Sequence, residues 1–167
     1  MLVDQWVTGR HEPAQPLAEL LRRYLASHGP ATIRDAAWSS GQTLSDMRAA
    51  SQTLEEDLIS VGKDERGEDY WVIAQSLAHV VLQPGRASRL PLRLRGPFDE
   101  YCLGYGTRTQ VADEQMTAQI LPGKNGMFLP FWLQEGREAK ILNAETAPTD
   151  SIGAALHQRY LDFKTAR

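Results

Sequence analysis

The feature that most constrains the fold of this chain is a change of hydrophobic period near residue 58. Before it, apolar residues recur every three to four positions, which is the spacing of one face of a helix. After it, the runs LISVG and YWVIA are rich in β-branched and aromatic residues, which favours strands. The polar stretch KDERGED separates these runs and is typical of a hairpin tip. The first half of the chain therefore predicts helices followed by a β-hairpin.

Three helices are predicted before the hairpin. Gly29-Pro30 ends the first helix and Gly41 ends the second, which is short. The second and third helices each begin with threonine and aspartate at capping-box spacing, Thr32 with Asp35 and Thr43 with Asp46. The apolar face of the first helix comprises Leu17, Leu20, Leu21, Tyr24 and Leu25. The apolar face of the third helix comprises Leu44, Met47, Leu54 and Leu58. Three helices and a hairpin in this order indicate a winged helix-turn-helix, with a generic α+β core as the alternative.

The second half of the chain predicts a different, β-rich organisation. SRLPLRLRG alternates leucine and arginine, as a half-solvated strand does, and VADEQMTAQILPG predicts a short helix. MFLPFWLQEGREAKIL predicts two strands around Glu135-Gly136, and the tail SIGAALHQRYLDF predicts a terminal helix. We therefore predict an α+β fold with a lead-in at 1–16, a winged-helix motif at 17–85, and a β-rich subdomain with a C-terminal helix at 86–167.

Charge and cysteine content limit the possible partners and location. The net charge of −3 divides into −5 for residues 1–85 (seven Lys+Arg, twelve Asp+Glu) and +2 for residues 86–167 (eleven against nine). Only the second half could therefore present the basic surface that nucleic acids attract. A single cysteine, Cys102, allows no internal disulfide, which suits a reducing cytoplasm. No apolar stretch is long enough to predict a membrane span, and we expect a cytoplasmic location.

No pattern in the sequence indicates a metal, a cofactor or a catalytic group. The four histidines are scattered, and PGKNG lacks the spacing of a phosphate-binding loop, so it predicts a turn. Cys102, flanked by Tyr101, Leu103 and a nearby Tyr105, is expected to be a small buried apolar residue. Asp99 and Glu100 are adjacent, so their side chains diverge and do not suit paired acid–base catalysis. We expect one of them to cap a helix or orient an arginine.

Arginines following the hairpin are the candidate DNA contacts. The third helix and the hairpin tip carry more acids than bases, which disfavours phosphate contact there. We predict phosphate binding by Arg89, Arg93, Arg95 and Arg108. A solvated strand face carrying arginines for solubility is the alternative.

Three segments resemble a known family. LAELLRRYLASHGPATIRDAAWSSG, GPFDEYCLGYGTRTQV and PGKNGMFLPFWLQEGR occur in the order and spacing found in the bacterial winged-helix DNA-binding family that includes the interstrand-crosslink DNA glycosylases. The resemblance covers about residues 17–138. It implies tandem winged-helix motifs with a β-rich C-terminal part, which form a concave surface for double-stranded DNA. It also implies metal-free N-glycosidic hydrolysis of alkylated or crosslinked purines, by residues of a glutamine–hydrophobe–glutamine (or aspartate) strand.

The sequence departs from that pattern at the catalytic strand. No Gln-hydrophobe-Gln or Gln-hydrophobe-Asp triplet occurs, and AKILNAE stands where the family has Gly-x-Trp-Arg/Lys. We therefore predict a DNA-binding protein that resembles the C-terminal half of the glycosylases and does not itself excise bases. One alternative is a protein-interaction or dimerisation module with an acidic winged helix. Another is that a separate chain supplies the missing half.

Overall fold

The computed structural model describes residues 12–81, 93–109, 112–123, 128–134 and 138–141, and the single positions 154, 158, 161 and 162. The chain divides into two compact units, Met1–Val81 and Leu82–Arg167. The described helices and antiparallel strands confirm the predicted α+β class. Positions 154, 158, 161 and 162 are helical, and the rest of the predicted C-terminal helix lies outside the described residues.

The first unit consists of helices followed by a hairpin and a further helix. In chain order these elements are α1 (Pro16–His28), α2 (Ile33–Ser40), α3 (Leu44–Thr53), a 3-10 turn (Glu55–Asp57), β1 (Leu58–Lys63), β2 (Asp69–Ile73) and α4 (Ala74–Val81). Helix α1 packs on α3 and on β2, and α2 packs on α3. Leu21, Leu25 and Met47 are essentially inaccessible to solvent and form the centre of this core.

The short middle helix begins and ends where the sequence predicts. The Thr32 hydroxyl accepts a hydrogen bond from the Asp35 backbone N–H at 3.1 Å, and the Asp35 carboxylate accepts one from the Thr32 N–H at 3.0 Å. This reciprocal capping box satisfies donors that a helix start leaves free. Gly41 ends α2 with a φ of 67°, a left-handed conformation that glycine adopts without a Cβ clash.

The third helix is shorter than predicted. It ends at Thr53, and the acidic residues Glu55–Asp57 form a 3-10 turn before β1 begins at Leu58. The placement of Leu58 on the helical face was therefore wrong, because the β-branched residues that follow it favour a strand. β1 pairs antiparallel with β2, with a register shift between Ser60 and Gly62. Helix α4 was not predicted.

The second unit is built on a small antiparallel sheet. Its elements are β3 (Arg93–Arg95), α5 (Glu100–Leu103), α6 (Glu114–Ile120), β4 (Phe131–Gln134) and β5 (Glu138–Ile141). The strand order is β3-β4-β5, so β4 is central. Its residues Phe131, Trp132 and Leu133 are buried, and Phe131 and Leu133 belong to the hydrophobic core of this unit. These two side chains pack with Cys102, Ala112, Ile120 and Phe128 to form the core of this unit.

Candidate nucleic-acid interface

Strand β3 positions two of the predicted arginines. Arg93 pairs with Leu133 and Arg95 pairs with Phe131 across the antiparallel β3–β4 register. The side chain of Arg93 is exposed, whereas Arg95 is only 29% exposed. The two arginines alternate with Leu94 as predicted, but of the two only Arg93 is exposed.

A tight turn and a short helix follow β3. Pro97 and Phe98 form the turn, and the Asp99 carboxylate caps α5 by accepting the Tyr101 backbone N–H at 3.0 Å. The other carboxylate oxygen of Asp99 lies 3.6 Å from Nη1 of Arg95. Asp99 therefore both caps a helix and orients an arginine, which confirms the prediction for this acidic pair.

The guanidinium of Arg95 is held against the protein by Asp99 and Tyr101. Its Cζ lies 5.0 Å from the centre of the Tyr101 ring, within the range of a cation–π contact. Its Nε is buried and has no hydrogen-bond partner within the described part of the chain. Because the group is partly enclosed between Asp99 and Tyr101, its main effect is to join the end of β3 to the start of α5.

Arg108 is likewise anchored within the second unit. Its Nε donates a hydrogen bond to the Cys102 carbonyl oxygen at 3.2 Å, and its guanidinium lies 5.3 Å from the centre of the Phe128 ring. Arg95 and Arg108 therefore both contact the segment around α5. Arg89, the fourth predicted arginine, lies outside the described residues.

Cys102 is a core residue with little nucleophilic character. It is 2% exposed and packs with the apolar side chains of this unit. Burial raises the pKa of the Cys102 thiol from 9.0 to about 11, a rise that the positive charge of Arg108 opposes. Since the thiolate is the reactive form, the thiol is unreactive at neutral pH. The predicted burial is confirmed, although the neighbours include aliphatic and phenylalanine side chains as well as Tyr101.

Several cations of the first unit, among them Arg34, Arg48 and Lys63, are paired with acids. Arg34 on α2 makes a two-pronged hydrogen bond to the Glu68 carboxylate, with Nε at 3.1 Å, and Nη2 of Arg48 lies 3.6 Å from the same carboxylate. This hydrogen bond is the main cause of a raised pKa at Arg34. In the hairpin, Lys63 Nζ lies 2.9 Å from an Asp69 oxygen. The neutralised cations fit the expectation that this motif is poorly suited to phosphate contact.

Phe98 is a surface feature that sequence reasoning missed. The side chain is 57% exposed, and the backbone φ is 64°, which places a bulky residue in the left-handed region. The signal that could have identified it is the tetrapeptide GPFD, in which proline and aspartate mark a turn and a large aromatic occupies a turn position.

The described ranges contain neither a metal-binding cluster nor a membrane-spanning helix. There, no group of three or more His, Cys, Asp or Glu side chains could hold a metal ion. No helix among those same residues is long and apolar enough to cross a membrane.

Comparisons with known proteins identify the family to which this chain belongs. A family model described as DNA glycosylase AlkZ-like matches residues 1–138. The comparison with curated protein sequences gave no match. Among solved structures, the DNA glycosylase AlkZ of Streptomyces sahachiroi is similar to this chain, with a TM-score of 0.60 and 23% identity. The alignment covers 77% of this chain and 34% of that one, and at this identity it shows a shared fold. The chain belongs to the AlkZ-like DNA glycosylase family.

Proposed function

We propose that this chain binds double-stranded DNA in the context of DNA repair, through the second unit. The observation that carries the proposal is the family match over residues 1–138, because a DNA glycosylase must engage DNA to reach its substrate base. The chain spans 34% of the similar solved chain, so base excision by that whole protein is not attributed to this one.

The first unit supports a winged-helix assignment for residues 17–85. Helices α1, α2 and α3 are followed by the β1–β2 hairpin, and an isolated antiparallel bridge joins Ala31 to Trp71. A short segment between the first two helices that pairs with the wing is compatible with a three-stranded winged-helix sheet. We assign residues 86–167 to the β-rich subdomain, with residues 1–16 as a lead-in.

DNA contact is assigned to the arginines of the second unit. Arg93 contacts phosphate directly, because its side chain is exposed on the β3 strand. Arg95 and Arg108 have protein partners, so their main role is to hold the surrounding surface in place. Their second role is to add to the positive potential of that surface. Arg89 is proposed as a further phosphate contact on the strength of the sequence pattern.

Base excision is not assigned to this chain. Hydrolysis of an N-glycosidic bond needs a carboxamide or carboxylate that positions water and stabilises the developing positive charge. The glutamine–hydrophobe–glutamine triplet that carries this role in the resembling family does not occur in the sequence. Release of a modified base from a duplex carrying a 7-alkylguanine lesion would contradict this part of the proposal.

A titration of labelled duplex DNA over a range of salt concentrations tests the binding proposal. Each phosphate contact contributes about 0.9 to the slope of log affinity against log salt, so Arg93→Ala should reduce the slope by about that amount. The matched control is Arg66→Ala, an exposed arginine at the acidic hairpin tip, which should leave the slope unchanged. No binding by the unmodified chain at low salt refutes the proposal.

A protein-interaction or dimerisation module is the second candidate. Two exposed apolar residues on the edge strand β1, Ile59 (37%) and Val61 (45%), favour it. The net charge of −5 of residues 1–85 favours a basic protein partner. Exposed apolar edge strands are prone to pair with another chain. Sedimentation of the purified chain distinguishes the two candidates: a dimer that Val61→Lys dissociates, together with no DNA binding, would favour this one.

A further inference from the structure

We propose that Phe98 is a wedge that stacks on an opened base step of duplex DNA when this chain binds. The inference rests on the proposed DNA binding and adds to it a residue and a mode of contact. It is carried by the backbone conformation of Phe98, its exposure, and the rigidity of the residues on either side.

The conformation of Phe98 is unfavourable for a phenylalanine. Pro97 occupies the second position of the turn and Phe98 the third, with a φ of 64°. A proline followed by a residue of positive φ is the signature of a type II turn, and that third position favours glycine or asparagine. A Cβ with a bulky ring adds steric strain there, so glycine would satisfy the backbone better.

The ring does not recover this cost by burial. Phe98 is 57% exposed, whereas Phe128 and Phe131 of the same unit are almost fully buried. Burial of apolar area is the main stabilising contribution of a phenylalanine, and most of it is forgone here. An aromatic ring that is both strained and exposed is therefore explained by contact with a binding partner.

The turn is held rigidly at its two ends. Arg95 is fixed in β3 by its pairing with Phe131, and Asp99 is fixed by its cap on α5. The contact of 3.6 Å between Arg95 and Asp99 joins these two ends across the turn. Phe98 therefore projects from a closed and braced loop, which lowers the entropy lost when the ring inserts into a partner.

The chemistry of the neighbourhood favours DNA as the partner. The exposed cation of Arg93 lies on the strand that leads into the turn. Residues 93–109 contain three arginines and two acids, a net charge of +1, so the approach of a phosphate backbone is not opposed. Proteins that kink duplex DNA insert an apolar side chain such as phenylalanine between base steps while arginines contact the backbone.

The test uses the full chain and a duplex that contains 2-aminopurine, a fluorescent adenine analogue whose emission rises when it unstacks. Phe98→Gly should weaken binding by about 5- to 150-fold, the range for loss of one base–aromatic stack. It should also abolish the fluorescence rise that the unmodified chain produces. Phe98→Tyr retains the ring and should restore both signals.

Three further measurements isolate the wedge from folding and from charge. Phe98→Gly should leave the urea midpoint unchanged or higher, since it relieves backbone strain. It should leave the salt slope unchanged, because the ring contacts no phosphate, in contrast to Arg93→Ala. The matched control is Trp38→Ala, an aromatic residue of the first unit with the same 57% exposure, which should bind DNA normally.

Each outcome has a definite reading. If the unmodified chain does not bind duplex DNA, the proposed function and the wedge both fail. If the unmodified chain binds and Phe98→Gly binds equally well with the same fluorescence change, only the wedge is overturned. If Phe98→Gly lowers the urea midpoint and weakens DNA binding to a corresponding extent, the ring has a structural role and the wedge is again overturned.

Discussion

The buried capping box of α2 provides a quantitative test of how the first unit is stabilised. Thr32 and Asp35 are 4% and 1% exposed, so both polar side chains are removed from water. The Asp35 carboxylate accepts the Thr32 backbone N–H at 3.0 Å and the Thr32 hydroxyl at 2.8 Å. Asp35→Ala deletes Oδ2, the oxygen that accepts both bonds, whereas Thr32→Val deletes the hydroxyl, which also accepts the Asp35 backbone N–H at 3.1 Å.

The two substitutions should differ in cost because they leave different groups unsatisfied. After Asp35→Ala, the Thr32 N–H has lost this acceptor in a buried site, which costs about 1–3 kcal/mol, and the hydroxyl bond is worth about 1 kcal/mol more. We therefore expect Asp35→Ala to lower the free energy of unfolding by about 3 kcal/mol. Thr32→Val should cost less, about 1–2 kcal/mol for a lost N-cap, because the Asp35 N–H loses its acceptor while the Asp35 carboxylate keeps the Thr32 N–H.

Urea unfolding followed by far-ultraviolet circular dichroism measures both costs. The slope of the unfolding free energy against urea should not change, since neither substitution alters the surface exposed on unfolding. Asp35→Asn, which keeps one acceptor oxygen, should fall between the other two variants. A cost for Asp35→Ala below that of Thr32→Val would refute the argument that the buried carboxylate is the main stabilising partner.

Three further predictions concern packing, acid stability and thiol reactivity. Gly29→Ala should destabilise the fold by about 2 kcal/mol in urea unfolding, because a Cβ there would lie 2.5 Å from the Leu25 carbonyl oxygen. Gly96→Ala is the control and should have no effect, because a Cβ at that position would have no atom within 4 Å. Hydrogen bonds from two arginines lower the pKa of Glu19 from 4.5 to about 2, so its stabilisation is present above pH 4.5 and lost as the pH falls toward 2. Glu19→Gln should therefore lower the urea midpoint clearly at pH 7 and by much less at pH 2. The same difference at both pH values would contradict the ion pair. The rise of the Cys102 pKa from 9.0 to about 11 lowers the thiolate fraction about 100-fold at neutral pH. Iodoacetamide should therefore label the folded chain far more slowly than the urea-unfolded chain. Equal labelling rates would show that the thiol is accessible in the folded chain.

Local signals in the sequence predicted much of the first unit. The capping box at Thr32, the N-cap at Thr43 and the glycine at Gly41 set the limits of α2 and the start of α3, because each acts through hydrogen bonds or dihedral angles within four residues. The same reasoning overextended α3, whose helical pattern continues into Leu58 although β1 begins there. At that position the pairing of β1 with β2, a contact between distant residues, outweighed the local period.

The character of the candidate interface depended on tertiary structure. The sequence by itself determined the α+β class, the membership of a DNA glycosylase family and the presence of arginines near the turn. Only the fold decided that Arg93 is exposed while Arg95 and Arg108 are held by Asp99, Tyr101 and Cys102, and that Phe98 projects from a braced turn. The physical reason is that a local pattern specifies which groups can form a helix or strand, whereas strand register and core packing specify which charged and aromatic groups remain accessible to a partner.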